Sequence, residues 1–137
     1  MAVSPFTSKG HLDQCDLGAD FIALIDTFMP KVDSIGFRPD PESPLYEICD
    51  DERLLPALQP LLDHLRFKGS WGIRRVIKAG QAEIKNPTGA LYIIALRITG
   101  APQISGLSPR VGHSLYLQGP FFTVRPQVDC LLLVPHN

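Results

Sequence analysis

The sequence predicts an α+β fold, with two N-terminal helices packed on one face of a curled, mainly antiparallel sheet of five or six strands. Three observations predict it. Apolar residues recur at helical spacing twice before Gly69. After Gly69 the pattern alternates through to the C-terminus. Between Gly89 and Gly100 lies an unbroken run, Ala90 to Thr99, that is apolar on both faces for its first half. In extended backbone Ala90, Tyr92, Ile94, Leu96 and Ile98 line one face, and Leu91, Ile93, Ala95, Arg97 and Thr99 line the other. Such a strand needs neighbours on both sides and cover on both faces. Its β-branched and aromatic content, bracketed by glycines, decides against a helix.

The elements follow in order. Residues 1–15 are polar, contain Pro5 and Gly10 and show no period, so they are expected as a flexible arm ahead of one domain over 16–137. Asp16 can cap a helix running to about Met29, with Phe21, Leu24, Ile25 and Phe28 in one stripe and Pro30 just past the end. Lys31 to Asp50, with Pro39, Pro41 and Pro44, reads as a long irregular connection. Asp50 or Asp51 can cap a second helix to about Arg66; Pro56 suits its first turn, and Pro60 should kink it or delay its start. Strands are expected at 70–79, 81–86, 90–99, 112–118, 121–125 and 128–134. The turn residues Ala79-Gly80 and Asn86-Pro87-Thr88-Gly89 make the first three an antiparallel meander. A sheet of this order, strongly curled, would be a cone with an apolar hollow, similar in element order to the nuclear-transport-factor-2-like and polyketide-cyclase-like folds.

Composition narrows the function classes. The 137 residues, 45% hydrophobic and 20% charged, suffice for one globular core. A net charge of -1, with signs scattered, steers nothing toward polyanions; Arg74, Arg75, Lys78, Lys85 and Arg97 could make a local basic patch at most, and nucleic acid is not an expected partner. Cys15, Cys49 and Cys130 lack zinc or redox spacing. The start has no signal-peptide pattern and no apolar run reaches membrane-spanning length, so a reducing, cytoplasmic setting with free thiols is expected. Thirteen prolines point to a loop-rich domain.

No residue pattern carries a catalytic signature. His11, His64, His113 and His136 form no metal-ligand pair, so no metal is expected. The serines form no nucleophile elbow, and Glu47 and Asp50 beside Cys49 should raise its thiol pKa. The glycines fit neither a phosphate loop nor a dinucleotide fingerprint, and no cofactor is expected. Pro39-Asp40 with Glu83-Ile84-Lys85 echoes the scattered acids and lysine of magnesium-dependent nucleases, a pattern short enough to arise by chance.

One constellation remains. Trp71, Tyr92, Tyr116, Phe121 and Phe122 could line the hollow, with Arg97, His113 or Asp129 at its polar end, and the ligand-binding candidates are Trp71, Tyr92, Arg97, Tyr116 and Phe122. His113 and a buried Asp129 would be the proton-moving groups. Two functions are expected from this. The first is a non-enzymatic protein-interaction or regulatory module, self-associating as a homodimer through apolar strands such as Phe121-Phe122 and Leu131-Leu132-Leu133. The alternative is a cofactor-independent enzyme or carrier for a small apolar ligand in the cone.

Overall fold

The computed structural model describes residues 14–41, 43–76, 82–86 and 89–135. In chain order the elements are β1 (Gln14–Asp16), α1 (Ala19–Ile35), β2 (Arg38–Asp40), β3 (Ser43–Ile48), α2 (Leu55–Leu65), β4 (Gly69–Val76), β5 (Ala82–Lys85), β6 (Ala90–Ile98), β7 (Gln103–Ile104), β8 (His113–Gln118), β9 (Phe121–Arg125) and β10 (Val128–Pro135). The class is α+β, but the strands divide between two sheets rather than curling into one. Seven form a sheet in the order β1-β8-β6-β10-β4-β3-β2, and three form a second in the order β5-β9-β7. All of these strand pairs are antiparallel.

Two apolar clusters occupy the two faces of the large sheet. On one face Phe21, Ile25, Phe28 and Val32 of α1 and Leu58, Leu61 and Leu65 of α2 pack onto Ile73, Ile94, Leu96, Leu131 and Leu133. On the other, Leu91, Ile93, Ala95, Cys130 and Leu132 meet Ile84, Phe122, Val124 and Ile104 of the small sheet. The layers are therefore helix, sheet and sheet. The predicted cone is absent because each face of the central strands has its own cover.

β6 is an inner strand, paired with β8 on one side and β10 on the other. Its alternation holds through Leu96 and then breaks. Asp129 pairs with Arg97 and Cys130 with Ala95, so Leu96 is an extra residue in a β-bulge. Beyond the bulge the faces exchange: Arg97 reaches α1, where it meets Asp33, and Ile98 joins the cluster between the sheets. Strict alternation puts Arg97 on the wrong side.

Other differences have local causes. The helix expected over 16–29 runs from Ala19 to Ile35, with Gly18 at its N-cap and Asp16 instead accepting the Gly18 N–H through Oδ1 at 2.8 Å. Pro30 does not end it. The proline lacks the N–H that would bond the Asp26 carbonyl, yet both residues are exposed, where water can serve that carbonyl, and Val32 beyond them is fully buried. Asp51 caps a 3₁₀ turn, Glu52–Leu54, by accepting the Arg53 N–H, and α2 follows directly with Pro56 in its first turn and exposed Pro60 inside. The connection expected over Lys31–Asp50 is largely structured, because β2 and β3 pair there as a hairpin. Pro39 is tolerated since β2 is the sheet edge. The expected meander does not form: β4 pairs with β10 and β3, while β5 crosses to the small sheet. Of the arm expected over 1–15, residues 1–13 lie outside the described residues, and β1 pairs along the start of β8.

Ile93 and Ile94 are both fully buried, one toward each cover. Ile93→Ala and Ile94→Ala should each lower unfolding free energy by about 2–5 kcal/mol in urea melts. A near-neutral effect of either would show that one face of β6 is wet.

Candidate functional site

The different widths of the two sheets leave a cleft at their margin. Seven strands span roughly 30 Å between their outer members and three span roughly 10 Å, at about 4.8 Å per strand. The small sheet thus leaves part of the large sheet's face open. At that margin lies a cleft of about 230 Å³ lined by Asp40, Tyr46, Ser70, Trp71, Gly72, Arg74, Ile84, Lys85, Leu91, Leu132 and Val134. Among the described residues its walls are mainly apolar or aromatic, with two cations and one carboxylate.

Gly72 helps to shape it. This glycine sits mid-strand, in continuous register with Leu132. A Cβ there would stand 3.1 Å from Arg74 Nη1 and 3.3 Å from Asp50 Oδ1, so the bare backbone makes room for that ion pair. Asp50 Oδ1 also accepts the Ile73 N–H at 2.8 Å. Arg74 uses a single nitrogen: Nη1 donates to Asp50 Oδ1 at 2.8 Å, to Asp50 Oδ2 at 2.7 Å and to the Ile73 carbonyl at 3.1 Å. Among the described residues Arg74 Nε and Nη2 have no partner, and Lys85 has no ion pair.

A different charge cluster occupies the helix-side face. Arg75 Nε and Nη2 donate to Asp129 Oδ1 and Oδ2 at 2.8 and 3.0 Å, and the Phe37 ring lies 3.9 Å from the same guanidinium. Arg97, re-aimed by the bulge, donates through Nη1 and Nη2 to Asp33 at 3.1 and 2.7 Å and stands 3.5 Å from Asp129 Oδ2. The Asp129 side chain is only 4% exposed. Two guanidiniums therefore surround the buried carboxylate, the arrangement that makes burying a charge tolerable. The hydrogen bonds from Arg97 hold the Asp33 carboxyl below its ordinary pKa despite some desolvation. Hydrogen bonds from Arg53 hold the half-buried Asp51 at about 2.

The residues expected to share a hollow are separated by the sheet itself. Tyr92 and Tyr116 face each other across β6 and β8 with ring centroids 5.0 Å apart, and Tyr92 packs toward the helices. Trp71 packs toward the helices too, although it also reaches the cleft. Phe122 lies between the sheets, and Phe121 is 50% exposed. His113 stands 3.8 Å from Asp16 at the β1–β8 pairing. Arg97, Asp129 and His113 do not line the cleft. Asp40 and Lys85 of the nuclease-like pattern both line it, but Glu83 does not, and no cluster of three or more His, Cys, Asp or Glu able to hold a metal occurs among the described residues.

The cysteines are free. Burial pushes the Cys130 thiol up to about 12, and burial with Asp50 and Asp51 nearby raises that of Cys49. Among the described residues no helix is long and apolar enough to cross a membrane. No protein-family model, curated protein or solved structure matches the chain.

Two outcomes follow from the charge clusters. Asp129→Asn leaves Arg75 without its bidentate acceptor and should cost about 3 kcal/mol in urea melts. For Asp33 and Asp51 the folded pKa is lowered, so their contribution to stability is present above the ordinary 3.8 and is lost as pH falls through the folded value. The urea midpoint of the wild type should therefore drop between about pH 4 and about pH 2, and less steeply in the Asp33→Asn, Asp51→Asn double variant.

Proposed function

We propose that the chain is a non-enzymatic binding module that takes a small, mostly apolar group into the cleft between its two sheets. The observation that carries this reading is the cleft itself: an open margin of sheet walled by Tyr46, Trp71, Ile84, Leu91, Leu132 and Val134, with a few polar groups at its border. At about 230 Å³ it is smaller than the roughly 300–1,000 Å³ of drug-sized sites. It suits one side-chain-sized group, free or presented by a partner protein.

The proton-moving candidates lie elsewhere in the fold, which favours capture over turnover. Asp129 is clamped on the helix side and His113 sits beside Asp16. Self-association draws less support, because Phe122 and Leu131 to Leu133 are buried within the chain and, among the described residues, the exposed large hydrophobics Ile22, Leu55 and Phe121 fall on three separate elements. The free thiols fit the reducing, cytoplasmic setting read from the sequence.

Amide chemical shifts of the ¹⁵N-labelled protein, followed during titration with neutral 4-methyl-1-pentanol, test the reading. Saturable shifts should centre on the cleft-lining residues of β3, β4, β5, β6 and β10. Ser70→Phe, which adds a ring at an exposed lining position, should weaken them at least about tenfold. Shifts spread over α1 and α2, or none at all, would overturn it.

A further inference from the structure

We propose that the cleft recognises the carboxylate of a small apolar acid, with Arg74 as the anchoring residue. This rests on the cleft being a binding site and adds the chemical class of what it binds.

The inference comes from how the arginines of this chain spend their donors. Arg53 and Arg75 each close a two-nitrogen fork, Nε with Nη2, on a carboxylate, and Arg97 closes Nη1 with Nη2 on Asp33. Arg74 holds Asp50 by Nη1 alone. Its Nε and Nη2 form the edge that matches both oxygens of a carboxylate, and among the described residues that edge is unused. The side chain as a whole is only 20% exposed and lines the cleft beside an apolar wall. Donors left in that state gain more from an ionised acceptor than fully solvated ones do.

Two neighbours define the ligand further. Lys85 lines the same cleft without an ion pair among the described residues and supplies a second cation. Among the described residues, Asp50 on Arg74 and Asp40 in the lining offset the two cations, which favours one negative charge over a phosphate dianion. The apolar part of the acid would lie against Leu91, Leu132 and Val134. An aryl or branched alkyl monocarboxylate meets these conditions.

Trp71 is the only tryptophan of the chain and lines the cleft, so its fluorescence reports occupancy. Phenylacetate should give a saturable change, and the neutral isostere phenylacetamide should bind at least about tenfold more weakly. Arg74→Lys keeps the charge but loses the fork, and should abolish most of that preference. Lys85→Met leaves the Arg74–Asp50 pair intact and should weaken phenylacetate about threefold, which tests the proposal even where Arg74→Lys fails to fold. Equal binding of acid and amide, or a preference that Arg74→Lys leaves intact, would overturn it. If 4-methyl-1-pentanol shifts the cleft amides while phenylacetate shows no advantage, the carboxylate inference falls and the binding reading stands. If no compound binds, both fall.

Discussion

β6 and β10 lie side by side in the large sheet with apolar side chains on both faces, and nearly everything else in the fold answers the need to keep both faces dry. A strand pair of that kind cannot be sheltered by helices on one side alone. The two helices cover the Ile94, Leu96, Leu131 and Leu133 face. The small sheet covers the Leu91, Ile93, Cys130 and Leu132 face. Burial of each such side chain contributes about 1.5–3 kcal/mol, so leaving either face open would forfeit much of the stability a domain of this size possesses. The second sheet is thus required by the first, and its narrowness leaves the margin where the cleft forms.

Electrostatics divides along the same plane. On the helix side, the charges that penetrate the interior are matched two nitrogens to two oxygens, and Phe37 shields the Arg75 guanidinium. Such a cluster ties α1 to β4, β6 and β10, and its geometry is that of a structural clamp. On the cleft side the pairing is incomplete. Among the described residues Arg74 and Lys85 keep donor capacity in reserve beside apolar walls, a condition that favours an incoming anion.

Much of the framework was legible because it rests on local periodicity. The helical stripes of α1 and α2, the inner position of β6, and the strands at β8, β9 and β10 follow from spacing and turn residues. What alternation could not convey is partnership. β4, β5 and β6 are consecutive and separated by turn residues, yet β5 belongs to another sheet, because the choice between neighbours is made by long-range burial. Prolines mislead in two ways: Pro30 sits on an exposed helix position where a missing N–H costs less, and Pro39 sits on an edge strand. The candidate site was legible only in fragments. Trp71 is expected in an aromatic hollow rather than here, Asp40 and Lys85 fall within the nuclease-like pattern, and Arg74 and Lys85 within the local basic patch. Gly72 in mid-strand was a usable signal, since a glycine there marks a close approach. The unused edge of Arg74 depends on atomic positions that no spacing rule encodes.

The bulge at Leu96 has a consequence for the length of the chain. Without it, the guanidinium of Arg97 would enter the oily layer between the sheets, and Ile98 would be thrust among carboxylates. One surplus residue is absorbed there, so a deletion of Leu96 would sacrifice a single core side chain and keep every downstream residue on its present side. A deletion in the middle of the strand, at Ile93 for example, would instead turn inside out either the residues before it or those between it and the bulge.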